Sequence, residues 1–196
     1  LRLAALWGAE AALKLGRLPE AWRLFEKSAP IDPATAWNPP SAEGVVPARP
    51  ARKAAFAADL AALRPGPWAE LLRGRFAVEG GDAKGALAFL TRARAHGATR
   101  APAALWRGRA LWVLGGPAAA VKEFAEAPSG PRTAAWRGLA LLAAGRKAEA
   151  RRALDALREP DPCLAEAWTA RGSLRQEAGD LAGALSDFTM ALVCDA

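Results

Sequence analysis

The stretch Ala165-Glu166-Ala167-Trp168-Thr169-Ala170-Arg171-Gly172-Ser173-Leu174-Arg175-Gln176-Glu177-Ala178-Gly179-Asp180, continued by Leu181-Ala182-Gly183-Ala184-Leu185-Ser186-Asp187-Phe188-Thr189-Met190-Ala191-Leu192, decides the fold. Trp168, Gly172 and Arg175 fall on one helical stripe, and Ala184, Phe188 and Ala191 recur at three- and four-residue steps on a second. Between them Gly179-Asp180 marks a chain reversal, because glycine supplies the left-handed helix end that other residues adopt only at a cost of about 1 kcal/mol or more. The reading is two amphipathic helices joined by a glycine turn, with small residues on the first letting the second approach closely.

Working outward, the same pattern recurs. Gly74, Gly108, Gly138 and Gly172 each sit seven residues before a second glycine, Gly81, Gly115, Gly145 or Gly179. Five residues later comes Ala86, Ala120, Ala150 or Ala184, and four further on a bulky Leu90, Phe124, Leu154 or Phe188. The units are offset by 34, 30 and 34 residues. Fixed offsets on this scale are the mark of a repeat architecture.

These residues resemble the tetratricopeptide repeat, whose signature runs W-x2-L-G-x2-Y…A-x3-F…P. The unit from Ala165 to Ala196 matches it at Trp168, Gly172, Ala184 and Phe188, while Arg171 and Arg175 stand where the signature has Leu and Tyr. Pro162 closes the unit before it, and Ala9, Gly16, Ala21, Phe25 and Pro33 repeat the plan near the N-terminus. The resemblance implies an all-α fold: a right-handed superhelix, or α-solenoid, of antiparallel helical hairpins with first helices lining a concave groove. The expected units are residues 1–33, a degenerate repeat at 34–66, and four repeats at 67–100, 101–130, 131–164 and 165–196.

Residues 34–66 depart from the plan. Six prolines between Ala29 and Pro50 exclude a continuous first helix there. A helical pattern returns from Ala51 to Leu63, with Phe56 at the bulky position and Trp37 as the expected anchor of the proline-rich loop. An inter-domain linker is the competing reading.

Composition excludes much of enzymology. The chain has 196 residues, one His and two Cys, too few for most metal sites or for a base beside a nucleophile. Neither an enzyme nor a cofactor is expected. His96 falls near the end of a second helix, where it meets solvent rather than acting as a base. Cys163 and Cys194 read as free thiols in different helical units, and a cytoplasmic location is the expectation. The longest apolar run, from Ala134 to Ala144, is broken by Arg137 and Gly138 and is too short to span a bilayer. Leu1 is not an initiator Met, so a processed or excised chain is expected.

If each repeat glycine faces the core, residues two before and one after it point elsewhere by the 100° step of the helix. Those positions hold Arg75, Trp106, Arg109, Trp136 and Leu139, with Trp7 equivalent in the first unit. Trp68, Leu71 and Trp112 follow at helical spacing. A groove built of these residues would suit a protein or peptide partner carrying an acidic group, because Arg grips carboxylates in parallel hydrogen bonds and Trp supplies contact area. The competing reading packs the tryptophans between neighbouring first helices. Arg73, Arg107, Arg137 and Arg171, each just before a repeat glycine, form a ladder that reads either as an anionic-surface tracker or as stems covering the seam between repeats.

The function expected is therefore a protein–protein interaction or scaffold module. RNA binding is the alternative, resting on the net charge of +7, but the basic residues are interspersed with acids and no base-reading pair recurs. A regulatory repeat segment of a larger protein is a further alternative. The last repeat lacks the polar capping helix that seals such arrays, so further repeats, or self-association through that end, are also expected.

Overall fold

A computed structural model describes residues 8–9, 11–28, 58–157 and 164–195. Trp7, Trp37, Phe56, Cys163 and the proline-rich stretch lie outside the described residues. Every described element is an α-helix: α1 (Leu18–Ser28), α2 (Pro67–Glu79), α3 (Ala83–Arg94), α4 (Gly97–Val113), α5 (Pro117–Glu126), α6 (Pro131–Ala143), α7 (Lys147–Leu154), α8 (Ala165–Glu177) and α9 (Leu181–Asp195). Residues 58–62 are helical as well, as their pattern predicts. The chain forms two compact units, Leu1–Arg100 and Ala101–Ala196. In the first, α2 packs on α1 and α3; in the second, α6 packs on α5, α7 and α8, and α8 on α7 and α9.

The turns sit where the glycines place them. Gly145 and Gly179 have φ of 75° and 84°, the left-handed region. Beyond them the amides of Arg146 and Asp180 donate back to Leu141 O and Arg175 O, each at 2.9 Å, closing the helix ends. Asp180 then caps α9 by accepting from the Gly183 amide at 2.9 Å, as Asp82 caps α3 from Gly85 at 2.8 Å.

The helices of each hairpin meet at the repeat glycine. A Cβ on Gly74, Gly108 or Gly138 would lie 2.5 Å from the side chain of Leu90, Phe124 or Leu154, and one on Gly172 would lie 2.8 Å from Phe188. Each pair joins the small position of the first helix to the bulky position of the second, sixteen residues on. Arg171 meets Asp187 while Arg175, nearer the turn, meets Gly183 O, so the hairpin is antiparallel.

Two rungs of the arginine ladder, Arg73 and Arg171, reach the end of the preceding helix. Arg73 donates to Leu60 O at 3.0 Å and Leu63 O at 2.6 Å, the carbonyl end of the preceding helical turn. Arg171 does the same at the end of α7, reaching Leu157 O at 3.1 Å, and forks onto Asp187 at 2.9 and 2.6 Å. Arg107 pairs with Glu123 at 2.9 Å, the same sixteen-residue offset. Arg137 alone of the four is exposed. Arginine at a helix C-terminus satisfies orphan carbonyls and the negative end of the helix dipole. Three of the four rungs, Arg73, Arg107 and Arg171, are thus committed to packing within the fold.

The free-thiol expectation is corrected. Cys194 is disulfide-bonded, and the chain has only one other cysteine, Cys163. The expectation took separation along the sequence for distance in space, although in an antiparallel hairpin the start of the first helix and the last turn of the second lie at the same end.

Candidate functional site

The eight positions expected to line a groove divide between the two units. In the first unit α2 carries Trp68, Leu71 and Arg75. Leu71 is fully buried, and Arg75, 3% exposed, is not presented at a surface. Its guanidinium lies 5.4, 5.6 and 5.5 Å from the ring centres of Trp22, Phe25 and Phe76, with Glu79 Oε1 at 3.3 Å. The position after the repeat glycine here faces the seam with α1, and the cation fills it. Trp68, half-buried, contacts Trp22 at 6.4 Å between ring centres.

In the second unit the structure brings together Trp106, Arg109, Trp112, Trp136 and Leu139. The Arg109 guanidinium stands 4.5 Å from the ring centres of both Trp106 and Trp136. Trp136 meets Trp112 edge-on at 5.3 Å. Trp106 and Leu139 are buried, whereas Arg109, Trp112 and Trp136 remain half-exposed. The arrangement follows from the repeat: α4 and α6 are both first helices, and Trp106 and Trp136 occupy the same place in each, two residues before the glycine. Alanine-rich neighbours leave room for the rings to stack around one cation. Trp106 therefore follows the packing reading, while the accessible edge of the cluster is Trp112, Arg109 and Trp136.

The site offers no acid–base pair. His96 is exposed, next to Ala95, the C-cap of α3. Among the described residues no group of three or more His, Cys, Asp or Glu is placed to hold a metal ion, and no helix is long and apolar enough to cross a membrane.

A second surface lies in the last repeat, the end at which the sequence led us to expect self-association without naming its residues. Leu181, Leu185, Leu192 and Val193 on α9 are between 62% and 73% exposed. A run of apolar residues uninterrupted by charge on the outer positions of that helix was the available signal.

No protein-family model matches the chain, and no curated protein does. Solved structures are similar to it. One described as "Crystal structure of MamA" is 20% identical with a TM-score of 0.55, covering 74% of this chain and 85% of its own. "MamA MSR-1 C2" is 18% identical with a TM-score of 0.52 over 99% of this chain and 96% of that one. "Crystal structure of MamA protein" is 16% identical with a TM-score of 0.54, over 99% and 91%. These likenesses establish the helical fold.

Proposed function

We propose that the chain is a non-catalytic protein-interaction module of the tetratricopeptide kind, with one repeat per hairpin, and that it binds a partner peptide along the first helices α4 and α6. The observation that carries this is the Arg109 guanidinium held between Trp106 and Trp136, with Trp112 against the second ring. A cation braced by two rings loses little freedom when a carboxylate docks on it, and half-exposed tryptophans offer the large, stiff contact area that dominates interface energetics. An acidic peptide is the ligand class this chemistry favours. Trp68, on the first unit, is a separate contact position, whereas Leu71 and Arg75 are buried and take no part in it.

Capture of acidic peptides from a defined peptide array tests the reading. Arg109→Glu and Trp112→Ala are each expected to abolish or strongly reduce capture while far-UV circular dichroism stays unchanged. Undiminished capture by both variants would remove the site from these helices.

The nucleic-acid alternative draws on net charge alone. Arg73, Arg75, Arg107, Arg171 and Arg175 are committed to carbonyls and carboxylates within the fold, which leaves less of that charge for phosphates.

A further inference from the structure

We infer that Arg137 and Arg152, exposed on the α6–α7 hairpin, form a receptor for a phosphate group carried by a partner protein as a phosphorylated serine or threonine. The repeat register shows how the site arises. In two hairpins an acid stands sixteen residues after the ladder arginine. Arg107 binds Glu123 at 2.9 Å, and Arg171 forks onto Asp187 at 2.9 and 2.6 Å. In the α6–α7 hairpin that position is Ala153. Its helices pair in the same register, since a Cβ on Gly138 would meet Leu154 as one on Gly108 or Gly172 would meet Phe124 or Phe188. The acid that ties the other two arginines into the fold is therefore missing here, and Arg137 is left exposed.

Arg152, next to Ala153, is exposed as well, and neither arginine makes a hydrogen bond or ion pair among the described residues. Both lie within electrostatic reach of one acid, Glu149, a turn before Arg152 on α7. Its carboxyl is held low first by the hydrogen bond from Arg146 and then by the charges of Arg146, Arg152 and Arg137. Arg146 takes both of its oxygens, at 2.8 and 2.7 Å. From Arg137 to Asp155 the chain carries five cations and two acids. Three of the cations are occupied, Arg146 by Glu149, Lys147 by Glu177 and Arg151 by Leu174 O. Arg137 and Arg152 are the two that remain for an outside anion.

A phosphate monoester carries a charge of about −1.5 to −2 at neutral pH and three acceptor oxygens, which matches two guanidiniums where a single carboxylate does not. Other carriers of phosphate fit less well. A nucleic acid is held by cations repeated along its backbone, yet Arg107 and Arg171, the equivalent residues of the preceding and following hairpins, are committed within the fold. An anionic membrane surface is recognised by clusters of about 4–8 basic residues, and here Glu149 stands beside two. One phosphate presented by a protein is the ligand that the local charge selects.

The test is an NMR titration of the intact chain, following the arginine side-chain Nε–H signals, with the peptide acetyl-Ala-Gly-phosphoserine-Gly-Ala-amide up to about 20 mM, a range that brackets a contact made by one group. The signals of Arg137 and Arg152 are expected to shift saturably, with an affinity roughly tenfold or more above that for the unphosphorylated peptide and for its glutamate counterpart. Arg137→Gln and Arg152→Gln are each expected to weaken binding roughly fivefold or more. Both arginines are exposed, so these variants fold. Ala153→Glu supplies the acid found at this register in the neighbouring hairpins, and is expected to pair with Arg137 and abolish phosphopeptide binding. Shifts that do not saturate, a glutamate peptide bound equally well, full binding by Arg137→Gln or by Ala153→Glu, or binding only to poly(U) or to vesicles of about 30% phosphatidylserine would each overturn the assignment. Arg109→Glu is expected to leave the affinity within about twofold, because exposed charges at a distance are screened, which separates this site from the peptide site proposed on α4 and α6.

Discussion

Asp187 is a buried acid on which two arginines of the last hairpin converge. Its carboxylate is buried, accepts two hydrogen bonds from Arg171 and forms an ion pair with Arg175 at 2.9 Å, while Arg171 also lies 4.6 Å from the Trp168 ring centre. A buried pair of this kind is neutral to unfavourable compared with well-packed apolar residues, because desolvation offsets the attraction, but half of one is costly. Asp187→Ala is expected to destabilise the second unit by about 3–5 kcal/mol in urea unfolding, because Arg171 is left buried without its counter-charge. The double variant Asp187→Leu/Arg171→Met should recover much of that loss. Gly108→Ala tests the helix contact instead: its new Cβ would press on the Phe124 ring, at an expected cost of about 1–3 kcal/mol. At this scale the sequence was half legible. The glycines and their bulky partners could be paired from spacing alone. Arg171 and Arg175 read as departures from the signature, because their compensating acid lies sixteen residues away and is recognised only once the antiparallel pairing is in hand.

At the scale of elements, the turns were the most legible feature, since a left-handed residue at a helix end is a local demand that local sequence answers. Gly145→Ala is expected to cost about 1–2 kcal/mol, measured by thermal unfolding, because φ of 75° there is unfavourable for any residue with a Cβ. Helix α7 is eight residues long and lacks a side-chain cap. Its N-cap residue Arg146 instead forks onto Glu149 at 2.8 and 2.7 Å. The hydrogen bond from Arg146 holds the Glu149 carboxyl below the usual carboxylate range, with the charges of Arg146, Arg152 and Arg137 adding to it. A depressed carboxyl stabilises the fold above its unfolded titration range, and that contribution is lost as pH falls through the folded value. An NMR titration should therefore find Glu149 titrating at lower pH than an ordinary Glu, and Arg146→Gln should move it back up. Seams between hairpins were less legible than turns. Single-helix periodicity gives the direction of Arg75 and Trp106 relative to their own glycine, but not which of those directions a neighbouring helix covers.

For the whole molecule, the repeat plan means that stability is a sum of hairpins and of contacts between neighbours. Small residues recur along the chain because close helix crossings leave little room for anything larger. The disulfide is the one covalent exception to this modular accounting. With Cys163 as the only other cysteine, the bond at Cys194 closes a loop of 30 intervening residues. Such a loop stabilises by about 3–4 kcal/mol in the chain-entropy model. Cys194→Ser is expected to lower the melting temperature, and a reducing agent should act on the parent chain but not on the variant.

The same bond has a mechanical consequence. A load applied to the two ends of the chain passes through the sulfur bridge and bypasses α8 and α9 altogether. However hard the rest is drawn out, the last hairpin is shielded from tension. In a stretching experiment the oxidised chain should stop short of the reduced one by roughly 100 Å, the extended length of about 30 residues. Redox state would thereby set how far the chain can be pulled, and leave the outer face of α9 presented under strain.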